Sequence, residues 1–210
     1  MPKPYFSLSL DVVKKPCLVI GGDGEALEKS ERLVEAQAEL LVVGRKCIPE
    51  LVEFCSKHRV PLELRNAEKK DIRGRFFVLN CVKTDAGFSE WVYKICLDEH
   101  AIISAYDQPD FSNAVMQALV RAGKMRLGIG SGGATPGLAG ALRRELEKLL
   151  NGEFPEFADW VIAEREEAIR QGKTPKERKA IFKELLKDFA IEGKLKYPKE
   201  YDERKSTRSR

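Results

Sequence analysis

The chain has 210 residues, 43% of them hydrophobic and 33% charged, which is enough apolar material to bury a core and excludes global disorder, collagen and coiled-coil classes. Its net charge of +4 is uneven: residues 1–115 hold 16 basic and 18 acidic side chains, and residues 116–210 hold 21 and 15. Residues 194–210 alone hold 7 basic and 3 acidic side chains, so the basic excess sits in the tail and argues weakly for any anionic partner.

The opening residues lack the apolar run of a signal peptide, and no stretch approaches the ~18 apolar residues of a membrane span. A cytoplasmic protein without a membrane partner is expected. The five cysteines show no C-x-x-C spacing and read as free thiols in a reducing compartment. His58 and His100 stand apart, so no metal site is expected.

In chain order, Cys17 to Ile20 is a short apolar run closed by Gly21-Gly22 and reads as a buried strand. Leu27, Leu33, Val34 and Ala38 recur at helical spacing. Leu40 to Val43 is a second strand, Ile48 to Cys55 a short helix, Leu62 to Leu64 a third strand, and Phe76 to Leu79 a fourth. Phe88, Val92 and Ile95 mark another helix, and Ala101 to Ala105 a fifth strand. Strands alternating with crossover-length helices predict an α/β, Rossmann-like, doubly wound parallel sheet over residues 1–112. After Pro109 the pattern changes to an antiparallel pair around Gly123-Lys124, then a helix opened by Thr135-Pro136. A second helix spans Phe154 to Gln171, and a third starts at the capping box Thr174-Pro175-Lys176-Glu177. Four regions follow: residues 1–112, 113–150, 151–193 as a helical domain, and 194–210 as a frayed basic tail.

Two glycine-rich turns join strand to helix. In Gly21-Gly22-Asp23-Gly24-Glu25-Ala26, Gly21 can supply the tight turn of a G-x-G-x-x-G/A fingerprint and Ala26 the close helix–strand packing. Asp23 stands at the middle glycine, where a pyrophosphate approaches the backbone. A nucleotide site and a purely structural turn both stand. The second strand is followed by Gly44-Arg45-Lys46, without the acid expected for a ribose diol; cations there suit a 2′-phosphate. The second turn, Gly128 to Pro136, is either an anion-receptive helix end or a tight turn with its cap. Asp107 follows the fifth strand, on the side where doubly wound folds bind ligands, and also suits a turn before Pro109.

The arrangement resembles the precorrin-2 dehydrogenase / sirohydrochlorin ferrochelatase family of sirohaem synthesis. The carrying segments are Val19 to Lys29, which looks like V-G-G-G-x-V-A-x-x-K; Val82-Lys83-Thr84-Asp85, at A-T-D-D; Ile103 to Asp107, at V-N-V-V-D; and Gly130 to Ala139, which looks like S-[ST]-G-G-x-S-P-x-L-A. The resemblance implies NAD-dependent oxidation of precorrin-2 to sirohydrochlorin, with ferrous iron insertion in many members. It implies Asp107 as the catalytic acid/base. It places the dinucleotide on Gly21, Gly22, Asp23, Gly24, Glu25, Ala26, Val43, Lys83, Thr84 and Asp85. The tetrapyrrole, which carries eight carboxylates, falls to Ser131, Gly132, Gly133, Arg121 and Lys124, with Arg126 beside them. The family is a homodimer, and residues 113–150 would be its dimerisation segment. No nucleic-acid partner is expected.

Five positions depart from the family pattern: Asp23 for glycine, Glu25 for an apolar residue, Gln37 for glycine, Lys83 for threonine and Ser104 for asparagine. Asp23 and Lys83 are expected to pair across the cofactor cleft. That leaves an alternative: a metal chelatase that uses no nucleotide, or a non-catalytic tetrapyrrole-binding homologue.

Overall fold

The computed structural model describes residues 5–132, 135–193 and 196. The chain divides after Gly152 into two compact units. In the first, β1 (Pro16–Ile20), α1 (Gly24–Glu35), β2 (Glu39–Val43), α2 (Pro49–His58), β3 (Leu62–Glu63), α3 (Lys69–Ile72), β4 (Phe77–Asn80), α4 (Ala86–Asp98) and β5 (Ile102–Ala105) alternate along the chain. The five strands form one parallel sheet in the order β3-β2-β1-β4-β5. The chain begins at the centre, winds outward to β3, and crosses back to β4 on the other side of β1. This is the expected Rossmann-like α/β fold.

Side chains along β1 alternate between two cores, because successive Cβ atoms of a strand point to opposite faces. Cys17 and Val19 pack with Leu33 of α1 and Leu51 and Cys55 of α2. Leu18 and Ile20 pack with Ile72 of α3 and Val92, Ile95 and Cys96 of α4. A sheet covered on both faces needs continuous apolar runs, which is why β1, β2 and β4 read that way in sequence. The β3–β4 crossover is held by buried Asp71, which accepts two hydrogen bonds from the Arg65 guanidinium at 2.7 and 2.8 Å and one from the Glu68 N–H at 2.8 Å. Beyond β5, a 3₁₀ turn (Pro109–Phe111) leads to Ser112 and Asn113. Their side chains accept from the backbone N–H groups of Ala105 (2.9 Å) and Ile103 (2.7 Å), closing that edge of the sheet.

An antiparallel hairpin follows, β6 (Ala118–Ala122) and β7 (Met125–Ile129), turning at Gly123, whose φ is +57°. Helix α5 (Pro136–Leu149) packs against β6 in the same compact unit. The second unit holds α6 (Phe154–Arg170) and α7 (Pro175–Leu185). The Thr174–Glu177 capping box starts α7, and Phe157 stacks on Phe189 with ring centroids 5.3 Å apart. Apart from Lys196, the expected basic tail lies outside the described residues. The sequence reading carried the third strand to Leu64 and began the fifth at Ala101; it did not mark α3 or the 3₁₀ turn. Elements this short offer no periodicity to read. No helix among the described residues is long and apolar enough to cross a membrane.

Candidate functional site

β1 and β4 are parallel neighbours, but the connection after β1 leads to β2 on one side and that after β4 to β5 on the other, and the carboxyl ends of the strands open there into a cleft of about 400 Å³. Residues 21–23, 46–48 and 81–84 line it, three loops that each follow a central strand. Each loop leaves its strand still hydrogen-bonded to the sheet: the Gly21 N–H donates to Val43 (3.0 Å) and the Cys81 N–H to Ile20 (2.8 Å). Gly21 has φ +142°, and a Cβ on it would meet the Cys81 Cβ at 2.9 Å. Gly22 is tighter still: a Cβ there would fall 1.8 Å from the Lys46 carbonyl oxygen, while its own carbonyl accepts from the Ile48 N–H at 2.8 Å. The glycines let two loops touch backbone to backbone, and the space beside Gly24 stays open.

Asp23 is the N-cap of α1, and its Oδ1 accepts from the Ala26 N–H at 3.1 Å. A carboxylate there suits the positive end of the helix. The expected Asp23–Lys83 pair does not form. Lys83 instead places its Nζ 5.2 Å from the centroid of the Tyr106 ring. The cap wins because its donor is three residues away, fixed by helix geometry, whereas a pair across the cleft must order a long side chain. Glu25, in the first turn of α1, lies 3.2 Å from Lys29 Nζ. Glu25 pushes the Tyr106 phenol upward, first through its charge and then through a hydrogen bond, and Asp107 and Asp23 add to the effect.

Asp107 is exposed and takes φ +57°, a left-handed conformation that aspartate tolerates better than most residues. Its loop is tied to the cleft rim by Gln108, whose Nε2 donates to the Val82 carbonyl at 2.9 Å. Two thiols also reach the cleft. Burial raises Cys47 and pushes Cys81 up to about 12, so both are neutral at ordinary pH.

The structure therefore gathers Gly21, Gly22, Asp23, Lys83 and Thr84 around one cleft. Val43 and Ala26 are buried in the core behind it, and Asp85 is turned to cap α4, accepting from the Phe88 N–H at 2.9 Å. The reading missed Cys47, Ile48, Cys81 and Val82 as cleft lining; their one signal is position, directly after β2 and β4. On the second turn, Ser131 Oγ accepts from the Thr135 N–H at 3.3 Å. Gly132 has φ +61°, and Gly133 lies outside the described residues. Arg121 and Arg126 both hold Glu35, at 2.8 and 3.1 Å, at the end of α1 opposite the glycine turn. Lys124 sits in the hairpin turn. None of these hairpin-side residues lines the cleft.

The cleft fits a dinucleotide. It lies at the topological switch point, its lining turn leads directly into the N-terminus of α1, and Lys46 and Lys83 supply positive charge. Asp23 opposes a phosphate, but its side chain is exposed, so water and salt screen its charge.

Residues 8–118 match the NAD_binding_7 family model, described as "Putative NAD(P)-binding". The chain belongs to this NAD(P)-binding family. Among curated relatives, a "Siroheme synthase" of Nitrosococcus oceani is 27% identical over 73% of this chain and 33% of its own length. A "Siroheme synthase" of Mannheimia succiniciproducens is 27% identical over 91% of this chain and 42% of its own. A "Precorrin-2 dehydrogenase" of Bacillus subtilis is 22% identical over 70% of this chain and 90% of its own. The chain thus spans well under half of those sirohaem synthases and most of the Bacillus protein. The solved structure of "SirC, precorrin-2 dehydrogenase" superimposes with a TM-score of 0.76 at 19% identity, over 88% of this chain and 90% of that one, and shares the fold. The kinship with the precorrin-2 dehydrogenase and sirohaem synthase proteins is borne out.

Proposed function

We propose that this NAD(P)-binding protein oxidises precorrin-2 to sirohydrochlorin in the cytoplasm, as a step of sirohaem synthesis. The observation that carries the reading is the position of Asp107: an exposed carboxylate after β5, its loop bonded through Gln108 to the rim of the switch-point cleft. A bound nicotinamide would supply the hydride acceptor for the oxidation. The chain's own residues then have three tasks. The Gly21–Gly22 turn and the first N–H groups of α1 hold the diphosphate, helped by Lys46 and Lys83. Buried Cys81 and half-buried Val82 exclude water from the cleft floor. Asp107 takes the proton that the macrocycle releases, as general base. Ser131, Gly132 and Gly133, with Arg121 and Lys124, are proposed to receive the substrate's carboxylates. Residues 113–150 are proposed to pair two copies, a role supported by the exposed Met125, Leu138 and Leu142 on the hairpin and α5.

One observation favours a second reading. Asp23 fills the helix end with the protein's own carboxylate, which suits a chelatase that inserts ferrous iron into sirohydrochlorin and needs no nucleotide. Anaerobic incubation with precorrin-2, followed by absorbance, separates the two. Conversion that requires NAD⁺ or NADP⁺ supports the dehydrogenase. Iron insertion into sirohydrochlorin without nucleotide, and no oxidation with it, supports the chelatase. Asp107→Asn tolerates the left-handed backbone and is expected to lower kcat for oxidation by roughly 10²- to 10⁴-fold. Full activity in that variant overturns the assigned role.

A further inference from the structure

We propose that the cleft selects a 2′-phosphorylated dinucleotide, NADP(H), over NAD(H), and that Arg45 and Lys46 make the selection. The proposal rests on the reading of the cleft as a dinucleotide site and says which dinucleotide it takes, departing from the NAD that the family resemblance implies. In doubly wound folds the end of the second strand meets the adenosine ribose. A carboxylate there accepts from the ribose hydroxyls of NAD, and a cation there pairs with the 2′-phosphate of NADP.

Here β2 ends at Val43 and runs into Gly44, Arg45 and Lys46, with no acid before Glu50. Arg45 and Lys46 are exposed, and neither is engaged in an ion pair among the described residues. The adjoining strand does not supply the missing acid. Glu63, the register partner of Val43 on β3, keeps its carboxylate 3.6 Å from Arg65 Nε. The backbone that carries the two cations is also held in place before any ligand arrives. The Lys46 carbonyl is packed against Gly22, the Ile48 N–H donates to the Gly22 carbonyl at 2.8 Å, and a Cβ on Gly44 would fall 2.5 Å from the Gly21 carbonyl oxygen. The cation-bearing loop is therefore locked to the turn that receives the diphosphate, and Lys46 lines the cleft itself. A guanidinium can meet a phosphate through two parallel N–H···O bonds. NAD would leave both cations unanswered; the 2′-phosphate of NADP answers them.

The test is isothermal titration of the full chain with NADP⁺, NAD⁺, 2′,5′-ADP and 5′-AMP, with far-UV circular dichroism of each variant. NADP⁺ is expected to bind at least roughly tenfold tighter than NAD⁺, with 2′,5′-ADP favoured over 5′-AMP in the same sense. Arg45→Ala is expected to bring the NADP⁺/NAD⁺ ratio toward one, and Arg45→Glu to invert it. NAD⁺ binding as tightly as NADP⁺ overturns the selection and leaves the dinucleotide site standing. Failure of every nucleotide to bind overturns the dinucleotide reading and the proposal with it. A ratio unmoved in both folded variants overturns the assignment to Arg45.

Discussion

Two glycine-rich segments, at residues 21–24 and 128–132, join a strand to a helix within one compact unit. They end differently. At the first, the connections that leave β1 and β4 diverge to opposite sides of the switch point, and the glycines lean on the backbone of another loop while open space remains beside Gly24. At the second, the hairpin's own Gln117 fills the room. A Cβ on Gly128 would meet its Oε1 at 2.0 Å, one on Gly130 its Nε2 at 3.0 Å, and that amide donates to Ser7 Oγ at 3.0 Å. A glycine-rich turn thus becomes a cleft only where sheet topology keeps side chains away from it.

A methyl group added at Gly22 and at Gly128 is expected to have unequal effects. Gly22→Ala drives a Cβ into the Lys46 carbonyl, so backbone must move. We expect a loss of about 3 kcal/mol in thermal or urea melts and a fall of more than roughly a hundredfold in dinucleotide affinity. Gly128→Ala meets only a flexible side chain in a β-strand and is expected to cost less than about 1 kcal/mol. Equal losses at the two sites would remove the distinction.

A smaller effect is expected from Asp23→Asn, which keeps a capping oxygen and removes the charge. Two unit charges ~4 Å apart repel by about 4 kcal/mol at an effective dielectric of ~20, and exposure to salt and water reduces that. Calorimetry is expected to show dinucleotide affinity rising roughly tenfold. A fall would mean that the carboxylate assists binding.

The smallest effect concerns the cleft's thiols. Burial holds Cys81 protonated up to about 12, so a thiol reagent at pH 8 is expected to label it far more slowly in the folded chain than in denaturant. The sign for stability follows. Above pH ~9 the unfolded chain releases this proton and the folded chain keeps it, so stability falls as pH rises through that range. Fast labelling of native Cys81 would show that the cleft floor is open.

Much of the fold was legible because its signals are local. The apolar runs at Cys17 to Ile20 and Leu40 to Val43 announce strands buried on both faces, and Thr174-Pro175 with Glu177 announces α7, since a cap and its donor lie within one turn. Part of the candidate site was legible for the same reason: Gly21, Gly22 and Asp23 follow a strand and open a helix. The Asp23–Lys83 pair was misread because the competing partners, the Ala26 N–H and the Tyr106 ring, come into reach only once α1 and the strand ends are in place. Arg121 and Arg126 look like free cations near a glycine turn in sequence, yet both converge on Glu35.

What the sequence determined alone is the order and type of the elements, the places where the backbone must turn, and the residues that cap the helices. Those depend on interactions between residues a few positions apart. Which turn opens into a cleft, which loops lock together through Gly22 and Lys46, and which cations remain unengaged were decided by tertiary structure. The residues concerned are tens of positions apart in the chain, and strand order alone brings them together.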